Sequence, residues 1–302
     1  MADEMSAGST CSRREFGRLA LAALPLPFAV LQGSRPRIDS SIQGVQIGLQ
    51  SFSLRRLREP DAIIAAMVKV GIGSVELMSN HAEAAAGAPG DAEGLRGWRT
   101  AASTETFERV RRKFNDAGID VALLCYPVAR GAQDDEIEYA FRMAKALGVK
   151  AITTSTQVSM AKRIAPFAEK HRVRVGFHNH HHGDASDPDE IVTPESFAAC
   201  LAPSQYHGIN LDVGHFTAAN FDSVSYIEQN HARITNIHLK DRRKNAGAIV
   251  PWGTGDAPLK GVLQLMRAKR YAFPANIEYE YPGADPVEEV AKCYEFCRTA
   301  LA

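Results

Sequence analysis

Eight short apolar runs, each followed by a longer amphipathic segment, constrain this chain more than any other feature. They fall at 45–51, 73–78, 120–126, 150–154, 172–179, 208–213, 234–240 and 273–279, and are rich in Val, Ile and Leu. Helical stretches lie between them. Gly71, Gly118 and Gly148 stop three of these, while Pro60, Pro194 and Pro286 open others. Pro166 falls inside the helical stretch from about Ser159 to His171 and predicts a kink or a division there. Strand-then-helix units repeated through residues 44–302 predict an α/β fold, a single (β/α)8 TIM barrel, which typically takes ~250 residues. An open doubly wound sheet would carry a Gly-rich phosphate fingerprint after its first strand. This chain has Gln50-Ser51-Phe52-Ser53 there. The Ala/Gly-rich stretch 79–102 reads as a loop, long enough to predict a functional excursion rather than a plain connector.

The segment ahead of the barrel reads differently. Ser12-Arg13-Arg14-Glu15-Phe16-Gly17-Arg18 precedes an apolar run from Leu19 to Leu31 that contains Pro25 and Pro27. Paired arginines before a short apolar region predict a twin-arginine export signal over residues 1–33, and so a periplasmic protein. The run is shorter than the ~20 residues of a membrane-spanning helix. Five cysteines are present, and Cys11 lies in this segment. Cys125, Cys200, Cys293 and Cys297 lack zinc-site spacing, and the last two, one helical turn apart, predict a buried helix stripe. Thirty-five basic residues balance thirty-five acidic ones, so no nucleic-acid partner is expected. The sequence leaves a homo-oligomer open.

Side chains alternate along a strand, so their register can be read directly. In the sixth run Asn210 and Asp212 share the face opposite Ile209 and Leu211. In the seventh, Asn236, His238 and Lys240 oppose Ile237 and Leu239. In the eighth, Asn276, Glu278 and Glu280 oppose Ile277 and Tyr279, and in the fifth His178 and His180 oppose Phe177. The apolar rows fit the outer, helix-covered side of a barrel. The polar rows then point inward near the C-terminal mouth, where barrel enzymes carry their sites. His178, Asp212, His238 and Glu278 are thus the candidate ligands of one divalent ion, Mn, Co, Zn or Mg. His180 is the rival ligand on its strand, and His181 and His182 read as solvent-facing loop residues. Lys240 either stabilises an oxyanion or pairs with Asp241 or Glu280. Glu76 points inward as a general base or acid, or as the partner of a buried arginine. His215 is placed to hydrogen-bond a substrate oxygen. Trp252 either presents a flat surface to a sugar ring or pins its own loop.

His178-Asn179-His180, Leu211-Asp212-Val213-Gly214-His215, Ile237-His238-Leu239-Lys240-Asp241, Gly253-Thr254-Gly255-Asp256 and Glu278 resemble the xylose isomerase-like barrel superfamily, the sugar phosphate isomerase/epimerase group that also holds endonuclease IV. The resemblance covers nearly the whole chain after the signal. It implies a carbohydrate substrate and a divalent ion held by Asp212, His238 and Glu278. Those epimerases carry a Glu on the fifth strand where this chain has His178, so their two-glutamate proton exchange lacks one partner here. The resemblance implies catalytic roles for Glu278, Glu76, Lys240 and His215, and substrate contacts for His180, Trp252 and Glu280. Family frequency favours isomerisation or epimerisation by proton abstraction beside a carbonyl. The alternative is β-elimination from a 3-keto sugar on the same site. A nuclease would need a richer ligand set and a basic face. A non-catalytic sugar-binding protein would hold no tight ion.

Overall fold

Each barrel strand is brief, and its outward row decides where it sits. The computed structural model describes residues 36–57, 59–181, 187–283 and 285–302 of the chain. The predicted export segment and His182 lie outside the described residues. A two-residue strand β1 (Ser41–Ile42) pairs antiparallel with β2 (Val45–Gln50). The barrel itself is β2, β3 (Ser74–Met78), β4 (Asp120–Cys125), β5 (Ala151–Thr154), β6 (Arg174–His178), β7 (His207–Asp212), β8 (Ile234–Leu239) and β9 (Ala275–Ile277). Neighbouring barrel strands pair in parallel, and β9 closes onto β2 through Ile47↔Ala275 and Leu49↔Ile277. The eight-stranded closed barrel expected from the sequence is therefore present.

In β2, Val45, Ile47 and Leu49 are fully buried and form the alternating outward row that packs under the helices. Such burial contributes roughly 1.5–3 kcal/mol per side chain. Gly48 faces inward. A Cβ there would lie 2.2 Å from Asn276 Oδ1, so its bareness makes room for the polar interior described below.

The helices are α1 (Pro60–Val70), α2 (Ser79–Ala85), α3 (Ala92–Ala101), α4 (Thr104–Asp116), α5 (Asp134–Leu147), α6 (Val158–His171), α7 (Pro194–Leu201), α8 (Val213–Ala218), α9 (Ser223–Asn230), α10 (Leu259–Lys269) and α11 (Pro286–Leu301). Gly71 and Gly148 end α1 and α5 in the left-handed region, with φ of 84° and 69°. The excursion 79–102 is not a loop but largely helical, as α2 and α3. Arg99 on α3 pins it by a two-pronged pair with the buried Glu83 on α2, at 2.7 and 3.0 Å, and Tyr139 also donates to Glu83 at 3.0 Å. Pro166 sits inside α6 without dividing it. Its ring is solvent-exposed and so clashes with no neighbouring element. Cys125, Cys200, Cys293 and Cys297 are buried free thiols.

Candidate metal centre

The parallel register sets the depth of each inward side chain. His178 pairs with Asn210, Asp212 with His238, and His238 with Asn276. Glu278 follows β9 directly. His178, Asp212, His238 and Glu278 thereby converge, each offering one ligand atom within 4.8 Å of the others. All four are buried. His178, His238 and Glu278 line a mouth cavity of about 540 Å³, whose walls also include Gln50, Phe52, Met78, Pro127, His180 and Ile249. Among the described residues, no other set joins carboxylates with imidazoles in this way.

The donor atoms fit a divalent ion. His178 Nδ1 makes no hydrogen bond, which a folded protein rarely allows a buried ring nitrogen. His178 Nδ1, Asp212 Oδ2, His238 Nδ1 and Glu278 Oε2 are buried and face one another, with His238 Nδ1 2.9 Å from Glu278 Oε2. Their nearest charged neighbour is the Lys240 ammonium, 2.9 Å from Asp212 Oδ2 and 3.0 Å from Glu278 Oε2. Two imidazole nitrogens and two carboxylate oxygens suit Mn, Co or Zn, with positions left for substrate oxygens.

One layer deeper, Glu76 is fully buried and receives five donors. Gln50 Nε2 (3.1 Å), Asn236 Nδ2 (2.9 Å), Asn276 Nδ2 (2.7 Å) and the Thr153 hydroxyl all donate to it. The fifth contact is His238 Nε2 at 2.7 Å. A carboxylate at Nε2 fixes the proton there and turns the Nδ1 lone pair toward the ion position. Glu76 is absent from the cavity wall, and its partner is His238 rather than a buried arginine. Asn179 clamps the next ligand. Its Oδ1 accepts from Asp212 N at 2.8 Å, and its Nδ2 donates to Asp212 O at 3.2 Å. Asp212 also caps α8 by accepting from His215 N at 2.6 Å.

The electrostatics follow from burial and these neighbours. Burial pushes the His178 imidazole well below its usual pKa, assisted by His180 and His238, so it is a neutral donor. Burial also works against charge on His238, but Glu76 and Glu278 outweigh it and hold that ring well above the usual range. Burial raises Asp212 to about 7 against the pull of Lys240. For Glu278, burial is outweighed by Lys240 and His238, which hold it low. The Lys240 ammonium stays charged despite burial because Asp212, Glu278 and Glu280 surround it.

His215 lies in α8 and faces the cavity. Its Nδ1 accepts from Arg242 Nη1 at 2.7 Å and from the His181 N–H at 3.2 Å. Its Nε2 lies 3.2 Å from the Lys240 ammonium, so both ring nitrogens face donors. His180, with Nε2 3.5 Å from Ser155 Oγ, lines the cavity, as does Glu280. His181 is also in the wall and half-buried, not solvent-facing. His178, His180 and His215 bring a second set of ring nitrogens together. That set has no carboxylate, and Arg242 Nη1 already occupies His215 Nδ1, which favours the carboxylate-containing group for an ion. Trp252 packs edge-on against Phe296 of α11 at 5.7 Å and is not in the cavity wall, so it pins its loop.

Sequence reasoning gave no role to Arg242, Asn179 or Gln50, and it turned Asn236 and Asn276 inward without a partner. Arg242 had a usable signal, since it continues the inward parity of 236, 238 and 240. Asn179 had none, because a side chain that clamps a neighbouring backbone leaves no pattern in spacing.

The profile of xylose isomerase-like TIM barrels matches residues 64–299, most of the barrel. The chain belongs to the xylose isomerase-like TIM-barrel family. Solved structures of this architecture superpose well at low sequence identity. The probable 3-DHS dehydratase AsbF of Bacillus anthracis is 17% identical, covers 83% of this chain and 98% of its own, and gives a TM-score of 0.64. The 3-keto-D-glucoside 4-epimerase YcjR of E. coli is 13% identical, with 84% and 99% covered and a TM-score of 0.61. The IolI protein, solved with a zinc atom, is 15% identical, with 85% and 96% covered and a TM-score of 0.60. At these identities the likeness concerns the fold. No curated protein sequence matches the chain. Among the described residues, no helix of this family member is long and apolar enough to cross a membrane.

Proposed function

We propose that the protein is a metal-dependent carbohydrate lyase that acts by β-elimination on a 3-keto sugar. One observation carries this reading: the cavity carboxylates approach from one side. Glu278 and Glu280 both follow β9, while β6 contributes the neutral His178. Epimerisation with proton return to the opposite face calls for a base on each side of the substrate. Elimination needs one base and one proton donor. Two solved structures of this fold are named as a probable dehydratase and a 3-keto-glucoside epimerase, which supports weighing elimination against epimerisation here.

His178, Asp212, His238 and Glu278 would hold the ion. When bound, it supplies Lewis-acid polarisation of the substrate carbonyl. The chain's own residues do the rest. Glu278 takes the proton from the carbon next to the carbonyl. The electron pair moves to form the carbon–carbon double bond, and the bond to the β-oxygen breaks. Lys240 donates a proton to that leaving oxygen and regains one from Glu278 across their 3.0 Å contact. No net proton is consumed, and the products are an enone and an alcohol. His215, held in place by Arg242, faces the cavity beside Lys240 and helps to position a substrate oxygen.

Incubation of the Mn-loaded protein with an aryl 3-keto-glucoside in D2O, followed by NMR, tests the proposal. Release of the aglycone with appearance of the enone is expected. Deuterium entry with inversion and no release would instead establish the isomerase/epimerase reaction that family frequency favours.

A further inference from the structure

Barrels of this kind commonly bind phosphate with backbone N–H groups of the loops after the seventh and eighth strands. The Gly-rich loop after β8 has the right composition for such a cradle, but the chain has filled it with its own carboxylate. Asp241 Oδ2 accepts from Gly253 N at 2.8 Å and Gly255 N at 3.0 Å, and Oδ1 accepts from Ala257 N at 3.2 Å. Asp241 is 1% exposed. A Cβ on Gly255 would lie 2.1 Å from Asp241 Oδ1, so the loop is wrapped tightly onto that oxygen. An incoming phosphate finds these donors already satisfied.

The cavity's cations are also spent. Among the described residues of its wall, Lys240 and Arg242 are the only lysine or arginine. Lys240 is shared by Asp212, Glu278 and Glu280. Arg242 Nη1 serves His181 O (2.8 Å) and His215 Nδ1 (2.7 Å), while its Nε and Nη2 both serve Gly247 O. Two side-chain cations and a divalent ion match the four carboxylates of Glu76, Asp212, Glu278 and Glu280. The loaded site is therefore neutral before substrate arrives. A phosphate or carboxylate on the substrate would bring a charge that no free cation of the wall compensates. The remaining wall of Phe52, Met78, Pro127 and Ile249, with the His180 and His181 rings, suits the C–H faces and hydroxyls of a sugar.

We propose that this site selects uncharged keto-sugars and rejects their phosphorylated and carboxylated counterparts. The proposal rests on the metal–carbohydrate reading above and adds the substrate's charge class to it. Calorimetric titration of the Mn-loaded full chain tests it with four probes: 3-keto-glucose, its 6-phosphate, its 6-carboxylate and its neutral 6-O-acetyl ester. The sugar and the acetyl ester should bind alike, and both charged probes at least about tenfold more weakly. Equal or tighter binding of a charged probe would overturn the charge selectivity while leaving the metal–carbohydrate reading intact. Exclusion of the acetyl ester along with the phosphate would also overturn it, by showing that size and not charge decides. Binding of none of the four would sink both readings together.

Discussion

His238 is the residue on which both layers of the site depend. Its Nε2 is held by Glu76 and its Nδ1 lies 2.9 Å from Glu278 Oε2. Replacing His238 or Asp212 by Ala should remove most bound metal, read by elemental mass spectrometry after gel filtration. His181→Ala should leave metal content intact, because His181 belongs to neither candidate ligand set. Unchanged metal in the first two variants would refute the ligand assignment. Glu76→Gln tests the deeper layer. The amide keeps the volume but weakens the grip on the ring, so metal affinity should fall about 10- to 100-fold with the fold retained. An unaltered affinity would return Glu76 to a purely structural role. The protonation of His238 gives a further expectation. Its pKa is held well above the usual imidazole range. In the ion-free protein the charged ring therefore contributes stability that is fully present below the unfolded pKa and is lost as pH rises through the folded one. An ion at Nδ1 must displace that proton. Metal binding at pH 7 should release on the order of one proton, with a further fraction from Asp212, which burial raises to about 7. Affinity should weaken as pH falls. Calorimetry in buffers of different ionisation enthalpy measures the release, and a buffer-independent heat would contradict it.

At the scale of elements, α6 carries the one interior proline that the sequence marks as a helix breaker. The helix continues through Pro166 from Val158 to His171, which means that its packing outweighs the lost hydrogen bond. Ile164 and Ala168 are buried on the same helix and hold it against the barrel. Pro166 is exposed, so Pro166→Ala should restore the backbone bond without disturbing the core. Stability should rise by about 1–3 kcal/mol, seen as a higher thermal midpoint; a lower midpoint would show that the ring itself is packed. The same helix shows what a sequence reveals about elements. Where strand alternation is strict, as at Ile237-His238-Leu239-Lys240, the inward row and its depth were legible before any coordinates. Gly48 and Asn179 were not, since their roles depend on what stands across the barrel or on the next strand. The stretch 79–102 looked like loop because its Ala and Gly weaken helical periodicity, yet the Glu83–Arg99 pair between α2 and α3 supplies a tertiary contact that spacing alone does not display.

For the whole molecule, the candidate ion would act as a cross-strand tie. Its donors come from β6, β7, β8 and the end of β9, the four strands that complete the barrel and meet β2 at its closure. The unfolded chain cannot hold these donors together, so binding belongs to the folded state and must stabilise it by mass action. At an ion concentration near one hundred times the dissociation constant the gain is about 2.7 kcal/mol, which for a domain of this size corresponds to a midpoint shift of about 5 °C. The stabilisation should saturate with added Mn or Zn and reverse with a chelator. It should disappear in His238→Ala, whose metal-free midpoint supplies the baseline. Differential scanning calorimetry reads all three. A midpoint insensitive to divalent ions in the unmodified protein, or a shift that survives His238→Ala, would show that any bound ion sits elsewhere and that these four buried groups are held by Lys240 and by one another instead.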